Sequence, residues 1–236
     1  MPVSFTPTQP MKKVEFDFEG YLDYLGEHIG SLYFFPEWKK YWLETFLEQE
    51  EGLDEYMKKF PNSNPILQRL KHYPDFALYN ENYEMFQFEH VTDYGTFVLH
   101  FDVERVRHFL SSNSMQTETI QLKDLYIDPE TPVIREKLQD NREPYFVRIY
   151  GTPQAYICID GNKRIQAKIQ EGKTSFTGYV FTPEHHEILF FGLTEVYYYI
   201  LNYEVDMILR LMNEGQAERD IYQVTQMVLQ AQQSNM

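Results

Sequence analysis

Tyr156-Ile157-Cys158-Ile159-Asp160-Gly161-Asn162-Lys163-Arg164-Ile165-Gln166-Ala167 is the stretch on which the reading of the fold turns. Its apolar run predicts a buried strand, Asp160-Gly161 the turn that ends it, and Asn162 the first residue of a helix. The first turn of a helix presents unpaired backbone N–H groups and the positive end of the helix dipole. Lys163 and Arg164 stand in that turn, where cations are unfavourable unless an anion compensates. Gly161 lets the chain turn sharply and lets a ligand reach the main chain with no Cβ in the way. Gly161, Asn162, Lys163 and Arg164 therefore read as a seat for a phosphate or another small anion. Asp160 has two readings: it caps the helix, or it holds a metal or a substrate hydroxyl. Ala167 is small enough to lie against a sheet, and Ile165 and Ile169 share one helical face.

Working outward, Tyr145 to Tyr150 and Ala155 to Ile159 predict two strands paired as a hairpin around residues 151–154, and the helix stops at Gly172. Ser175 to Phe181 is a further strand. Upstream, Glu118 to Leu122 predicts a strand, and Leu125 to Pro129 leads into a short helix near Val133 to Leu138. Ser111-Ser112-Asn113-Ser114 reads as a linker.

Before that linker, residues 15–60 read as helices. Pro36 stands at a first helical position, Trp38, Tyr41, Trp42, Leu43 and Phe46 follow at helical spacing, and Gly52 interrupts. Asn64-Pro65 starts another helix over Ile66 to His72. Met85 to His90 and Thr96 to Phe101 alternate as a β-hairpin around a several-residue loop containing Asp93-Tyr94-Gly95, and Asp102 caps a short helix to Leu110. After residue 183 the chain reads as helix from Glu184 to Asn213, with Val196, Ile200, Tyr203, Met207 and Leu211 as its core-facing stripe. A last helix covers Ile221 to Gln230 with a Gln-rich surface. The expected organisation is α+β in three parts: an N-terminal helical region with a hairpin (1–116), an α/β domain (117–183) and a C-terminal helical segment (184–236).

Composition limits the function. At 236 residues with 43% hydrophobic content the chain can bury a large core, and its 19 Tyr and 18 Phe predict a core of rings with polar tips. No apolar run is long enough to span a bilayer, the N-terminus lacks the order of a secretory signal, and Cys158 is the single cysteine. A cytoplasmic location follows as the expectation. The net charge of −15 is unevenly spread: segment 1–116 holds 10 Lys/Arg against 19 Asp/Glu, 117–183 holds 9 against 9, and 184–236 holds 2 against 8. Acidic flanks repel a long duplex, while the neutral centre still accepts a small anion.

Asp160-Gly161-Asn162-Lys163-Arg164 with Ala167 resembles the Asp-Gly-x-x-Arg or Gly-x-x-Arg-x-x-Ala signature of the ParB/sulfiredoxin-like superfamily. The order of strands and helices around it, over residues 117–183 only, is similar too. The resemblance implies nucleotide or phosphate binding at this turn, since ParB proteins bind and hydrolyse CTP, sulfiredoxins transfer phosphate from ATP, and some relatives phosphorylate free serine. It implies Arg164 as the main cationic contact, Asp160 as a catalytic group and holder of Mg²⁺, and a nucleoside triphosphate with Mg²⁺ as cofactor. Any enzyme activity would be that of a phosphotransferase or nucleotide hydrolase. Asn162 departs from the sulfiredoxin Cys and from the ParB Glu at that place, which removes the cysteine chemistry and weakens the CTPase one. ParB proteins continue into a basic DNA-binding domain, whereas residues 184–236 are acidic. Two alternatives stand beside phosphate handling: a non-catalytic scaffold that binds a protein partner or a second copy through its aromatic helical flanks, and a DNA-associated, nuclease-like protein, which the acidic charge disfavours.

Minor candidates are His185-His186-Glu187, whose adjacent side chains point different ways, and His90, His100 and His108, which lack ligand spacing. Arg135, Lys137, Arg142 and Arg148 could extend the anion seat.

Overall fold

In the computed structural model, which describes residues 16–59 and 84–233, the chain is an α+β protein with helices before and after two sheets. The helix expected at Ile66 to His72 lies outside the described residues. Helix α1 (Phe18–Ile29) starts where the Asp17 carboxylate accepts the backbone N–H of Gly20 at 2.9 Å. Its buried residues Phe18, Tyr21, Leu22, Leu25 and Ile29 form one amphipathic face. That face packs on α2 (Phe35–Lys59), which buries Trp38, Trp42 and Phe46. Pro36 stands at the second helical position. Gly52 does not interrupt α2: a glycine costs only about 1 kcal/mol within a helix, and the helix runs unbroken past it.

Strands β1 (Met85–Thr92) and β2 (Gly95–Asp102) pair antiparallel with Thr92 opposite Gly95, so the hairpin turn is the two residues Asp93-Tyr94 and is tighter than expected. Gly95, just after the turn, has a φ of +119°, which glycine adopts without strain. The Asp102 carboxylate then caps α3 (Val103–Ser112) by accepting the Arg105 N–H at 2.9 Å, and the helix takes in half of the expected linker.

The second sheet holds β3 (Thr117–Gln121), β4 (Leu125–Tyr126), β5 (Tyr145–Arg148), β6 (Tyr156–Asp160) and β7 (Ser175–Phe181) in the order β3-β7-β5-β6-β4. β3 with β7 and β5 with β6 run antiparallel, while β5 with β7 and β4 with β6 run parallel. The alternation of a strand explains how this sheet is buried on both faces. Phe146, Cys158 and Val180 face a small core shared with Ile165 of α4 (Asn162–Gln170). Val147, Ile157, Ile159 and Phe181 face the large core built with the helical flanks. α4 ends as expected before Gly172, whose φ is +82° and whose N–H reaches Ile169 O at 2.8 Å. The short helix expected near Val133 to Leu138 is a 3₁₀ turn, Arg135–Gln139.

The single helix expected from Glu184 to Asn213 is broken. A 3₁₀ turn (Pro183–His185) leads into α5 (His186–Leu189), and the chain then extends at Phe190, which bridges to Phe101. The long helix α6 (Leu193–Asn213) starts where Glu195 accepts the Gly192 N–H at 2.8 Å. Its buried face runs through Tyr198, Leu201, Asn202, Val205 and Ile208, and the expected stripe of Val196, Ile200, Tyr203, Met207 and Leu211 is only half-buried. Buried polar residues on α6 account for the shift, because Asn202 and Glu204 sit inside with their hydrogen bonds made. The last expected helix is two, α7 (Glu218–Gln223) and α8 (Gln226–Gln233). Among the described residues no helix is long and apolar enough to cross a membrane.

Glu204 is fully buried and ties three helices together. It accepts Trp42 Nε1–H at 2.9 Å and the backbone N–H of Gln226, at the start of α8, at 2.8 Å. Burial pushes its carboxyl from the ordinary 4.5 up to about 7. A carboxyl with a raised folded-state pKa holds its proton more tightly when folded. Its stabilising contribution is therefore complete below pH 4.5 and is lost as pH rises to about 7. That change amounts to about 3 kcal/mol. Denaturant titrations at pH 4.5 and 8 should show the drop in the native chain relative to Glu204→Gln, whose side chain does not titrate; parallel losses in both would contradict it.

Candidate functional site

Gly161 joins β6 to α4 with a φ of +104°, a left-handed value that glycine adopts without strain. A Cβ there would lie 2.8 Å from Pro144 Cβ and 2.8 Å from Arg164 Nη2. The first intrahelical bond runs from Ile165 N to Gly161 O, 3.0 Å, so the N–H groups of Asn162, Lys163 and Arg164 precede the helical ladder and point out of its start.

Asp160 does not cap the helix. Its carboxylate accepts instead from Arg164 Nη2 at 3.0 Å, one helical turn on. Arg164 is buried, and its Nη1 lies 3.6 Å from Asp140 Oδ2. Asp140 in turn accepts from Arg142 Nη2 at 2.8 Å and Nε at 3.1 Å, with Lys137 Nζ at 3.8 Å. The hydrogen bonds from Arg142, with the charge of Arg164 behind them, hold the Asp140 carboxyl well below the usual carboxylate range. Arg164, expected as the main ligand contact, is thus the hub of an internal ionic cluster. Lys163 is the half-exposed cation of this turn and makes no ion pair among the described residues.

Asn162 is buried and its orientation is determined. Its Nδ2 donates to Cys158 O at 2.8 Å, and since a carbonyl only accepts, the Oδ1 end is the one left over. Among the described residues that Oδ1 has no partner, nor have the Arg164 Nε and the Thr131 Oγ1. Asn162, Arg164 and Thr131 all line one cleft of about 150 Å³, together with Lys163, Lys137 and Arg142. The structure therefore brings Lys137 and Arg142 to the turn as the sequence suggested, but not Arg135 or Arg148; Arg148 lies over the Tyr150 ring, 5.5 Å from its centroid. Sequence reasoning missed Thr131, Asp140 and Glu84, which also lines the cleft and is held by Arg107. Of these three, only Asp140 carried a sequence signal, its spacing to Arg142.

Cys158 is fully buried, its thiol donating to Asp160 O at 3.1 Å, and burial pushes its pKa well up, so it stays an unreactive thiol. The histidines are tethered apart. His90 Nδ1 meets the Tyr198 hydroxyl at 2.7 Å and His100 Nδ1 meets Glu195 at 2.6 Å. His185 Nδ1 accepts the Thr182 N–H at 3.2 Å, and His186 Nδ1 donates to Pro183 O at 2.8 Å. Among the described residues no three His, Cys, Asp or Glu side chains converge as a metal-binding group.

No protein-family model, curated protein or solved structure matches the chain. The arrangement itself offers an anion a helix start, one uncompensated lysine and further cations whose present partners are carboxylates of the chain.

Proposed function

We propose that the chain binds the phosphate of a nucleotide or phosphorylated small molecule at Gly161, Asn162, Lys163 and Arg164, as a ParB/sulfiredoxin-like protein would. One observation carries the reading: three residues that line a single cleft at the start of α4 each hold a buried polar atom without a partner among the described residues. Each such atom costs about 1–3 kcal/mol, and their gathering in one place marks a site whose partners arrive with a ligand. They lie within the cleft wall, so ligand engagement goes with a small rearrangement of that wall. Lys163 and the free N–H groups take the phosphate, while Lys137 and Arg142 turn to it from Asp140. The cleft holds the phosphate end, and the rest of the ligand projects from it.

Asp160 is the carboxylate on the turn. Mg²⁺ binds to one or two carboxylates plus substrate phosphates, so a metal held here would enter with a nucleoside triphosphate and would neutralise its charge. Phosphoryl transfer or nucleotide hydrolysis is the activity such a site would support, in a cytoplasmic protein. The Asp160–Arg164–Asp140 cluster favours one second reading, a non-catalytic interaction scaffold in which Arg164 serves only the fold. Duplex DNA is disfavoured by the charge of −15.

Thermal melting with a panel of nucleotides and sugar phosphates, with and without Mg²⁺, separates the two. A true ligand at about a hundredfold excess over its Kd should raise Tm by about 5–10 °C. No shift with any member would leave the scaffold.

A further inference from the structure

A second cleft, of about 500 Å³, lies between α1, the β1–β2 turn, the turn at Gly151 and α6, and it shares no lining residue with the anion site. Its size is that of an ordinary small-molecule pocket. One wall is aromatic: the rings of Tyr21, Tyr24 and Tyr94 meet with centroids 6.2, 6.1 and 5.8 Å apart. Aliphatic side chains of α1 and α6 complete the apolar surface.

The wall is braced from behind. Tyr21 donates its hydroxyl to Asn202 Oδ1 at 2.6 Å, and Gly151, with φ +71°, lies so close that a Cβ would stand 2.5 Å from the same oxygen. Burial pushes the Tyr21 phenol up to about 12, which keeps the ring neutral. His90 adds no charge at neutral pH, because burial lowers its pKa.

Charge then decides what the cleft accepts. Among the described residues no Lys or Arg lines this cleft. Asp93 and Asp206 stand exposed at its rim with neither an ion pair nor a hydrogen bond among the described residues. An anionic ligand would meet two carboxylates and, among the described residues, no lysine or arginine. A cation would be steered by those carboxylates and held against the ring faces, which attract positive charge within about 6 Å of a centroid. We propose that this cleft is a binding site for an organic cation, an alkylammonium compound whose apolar body rests on the tyrosine wall.

Calorimetric titration with choline and with 3,3-dimethylbutan-1-ol, which has its shape but no charge, tests the proposal. Choline should bind saturably and at least about tenfold more tightly than the alcohol, the margin of a cation–π contact. Tyr94→Ala should weaken choline about tenfold and Asp206→Asn several-fold, both with circular dichroism unchanged, while Lys163→Glu at the other cleft should leave it unaffected. Absence of saturable choline binding, equal affinity for the alcohol, or affinity indifferent to Tyr94→Ala would each overturn it.

Discussion

Arg164→Ala should lower the stability of the folded chain by about 3–5 kcal/mol, the effect of removing one partner from a buried ion pair. Arg164 is 4% exposed, and its guanidinium stands between Asp160 and Asp140. Truncation leaves both carboxylates without their shared cation and opens a hole at the start of α4. For a chain of this size the loss corresponds to a fall in Tm of about 10 °C. Arg164→Lys should recover only part of it, because a lysine cannot address two carboxylates with a planar fork. Differential scanning calorimetry of the two variants reads this directly, and an Arg164→Ala protein that melts with the native chain would show the ionic cluster to be idle. The same variant should also lose ligand binding, so Arg164 by itself cannot separate a ligand contact from a structural tie.

Gly161→Val should be nearly as damaging, at about 2–5 kcal/mol. Two effects combine. A left-handed φ costs a residue with a Cβ about 1–2 kcal/mol, and overpacking against a fixed neighbour costs about 1–3 more. The neighbour is fixed here, because the new Cβ would stand 3.2 Å from the backbone Cα of Pro144 as well as near its ring. Gly172→Ala provides the control: it has a similar φ of +82° but open space around it, so only the conformational share should appear in a denaturant titration. Equal losses at the two positions would refute the close approach of Pro144 to the turn.

Much of this architecture was legible in the chain because it is local. The alternation in Met85 to His90 and Thr96 to Phe101 and the Asp102 cap depend on neighbours in sequence, and each appears where it was expected. So do the glycine turn at Gly161 and the stop at Gly172. What was misread depends on residues far apart. The inward face of α6 was misplaced because Asn202 and Glu204 look solvent-facing until Tyr21, Trp42 and Gln226 arrive to bond them. Arg164 looked free for a ligand because Asp140 reaches it through an irregular segment with no periodicity to follow. The Asp160–Arg164 pair was readable, since residues four apart on a helix edge meet; the cap preference of Asp concealed it. Thr131 had no sequence signal at all, and only its burial beside the cleft reveals it.

The central claim is that an anion binds at the start of α4, and Lys163 isolates it. That side chain lines the cleft, carries no ion pair among the described residues and can be reversed in charge with little expected effect on stability. The most direct measurement is isothermal titration of pyrophosphate into the native chain and into Lys163→Glu, with melting curves confirming equal stability. Saturable binding by the native chain, weakened at least about tenfold in the variant, is the predicted result. Equal affinity in the two proteins, or no binding by either, would contradict an anion site at the Asp160–Arg164 turn.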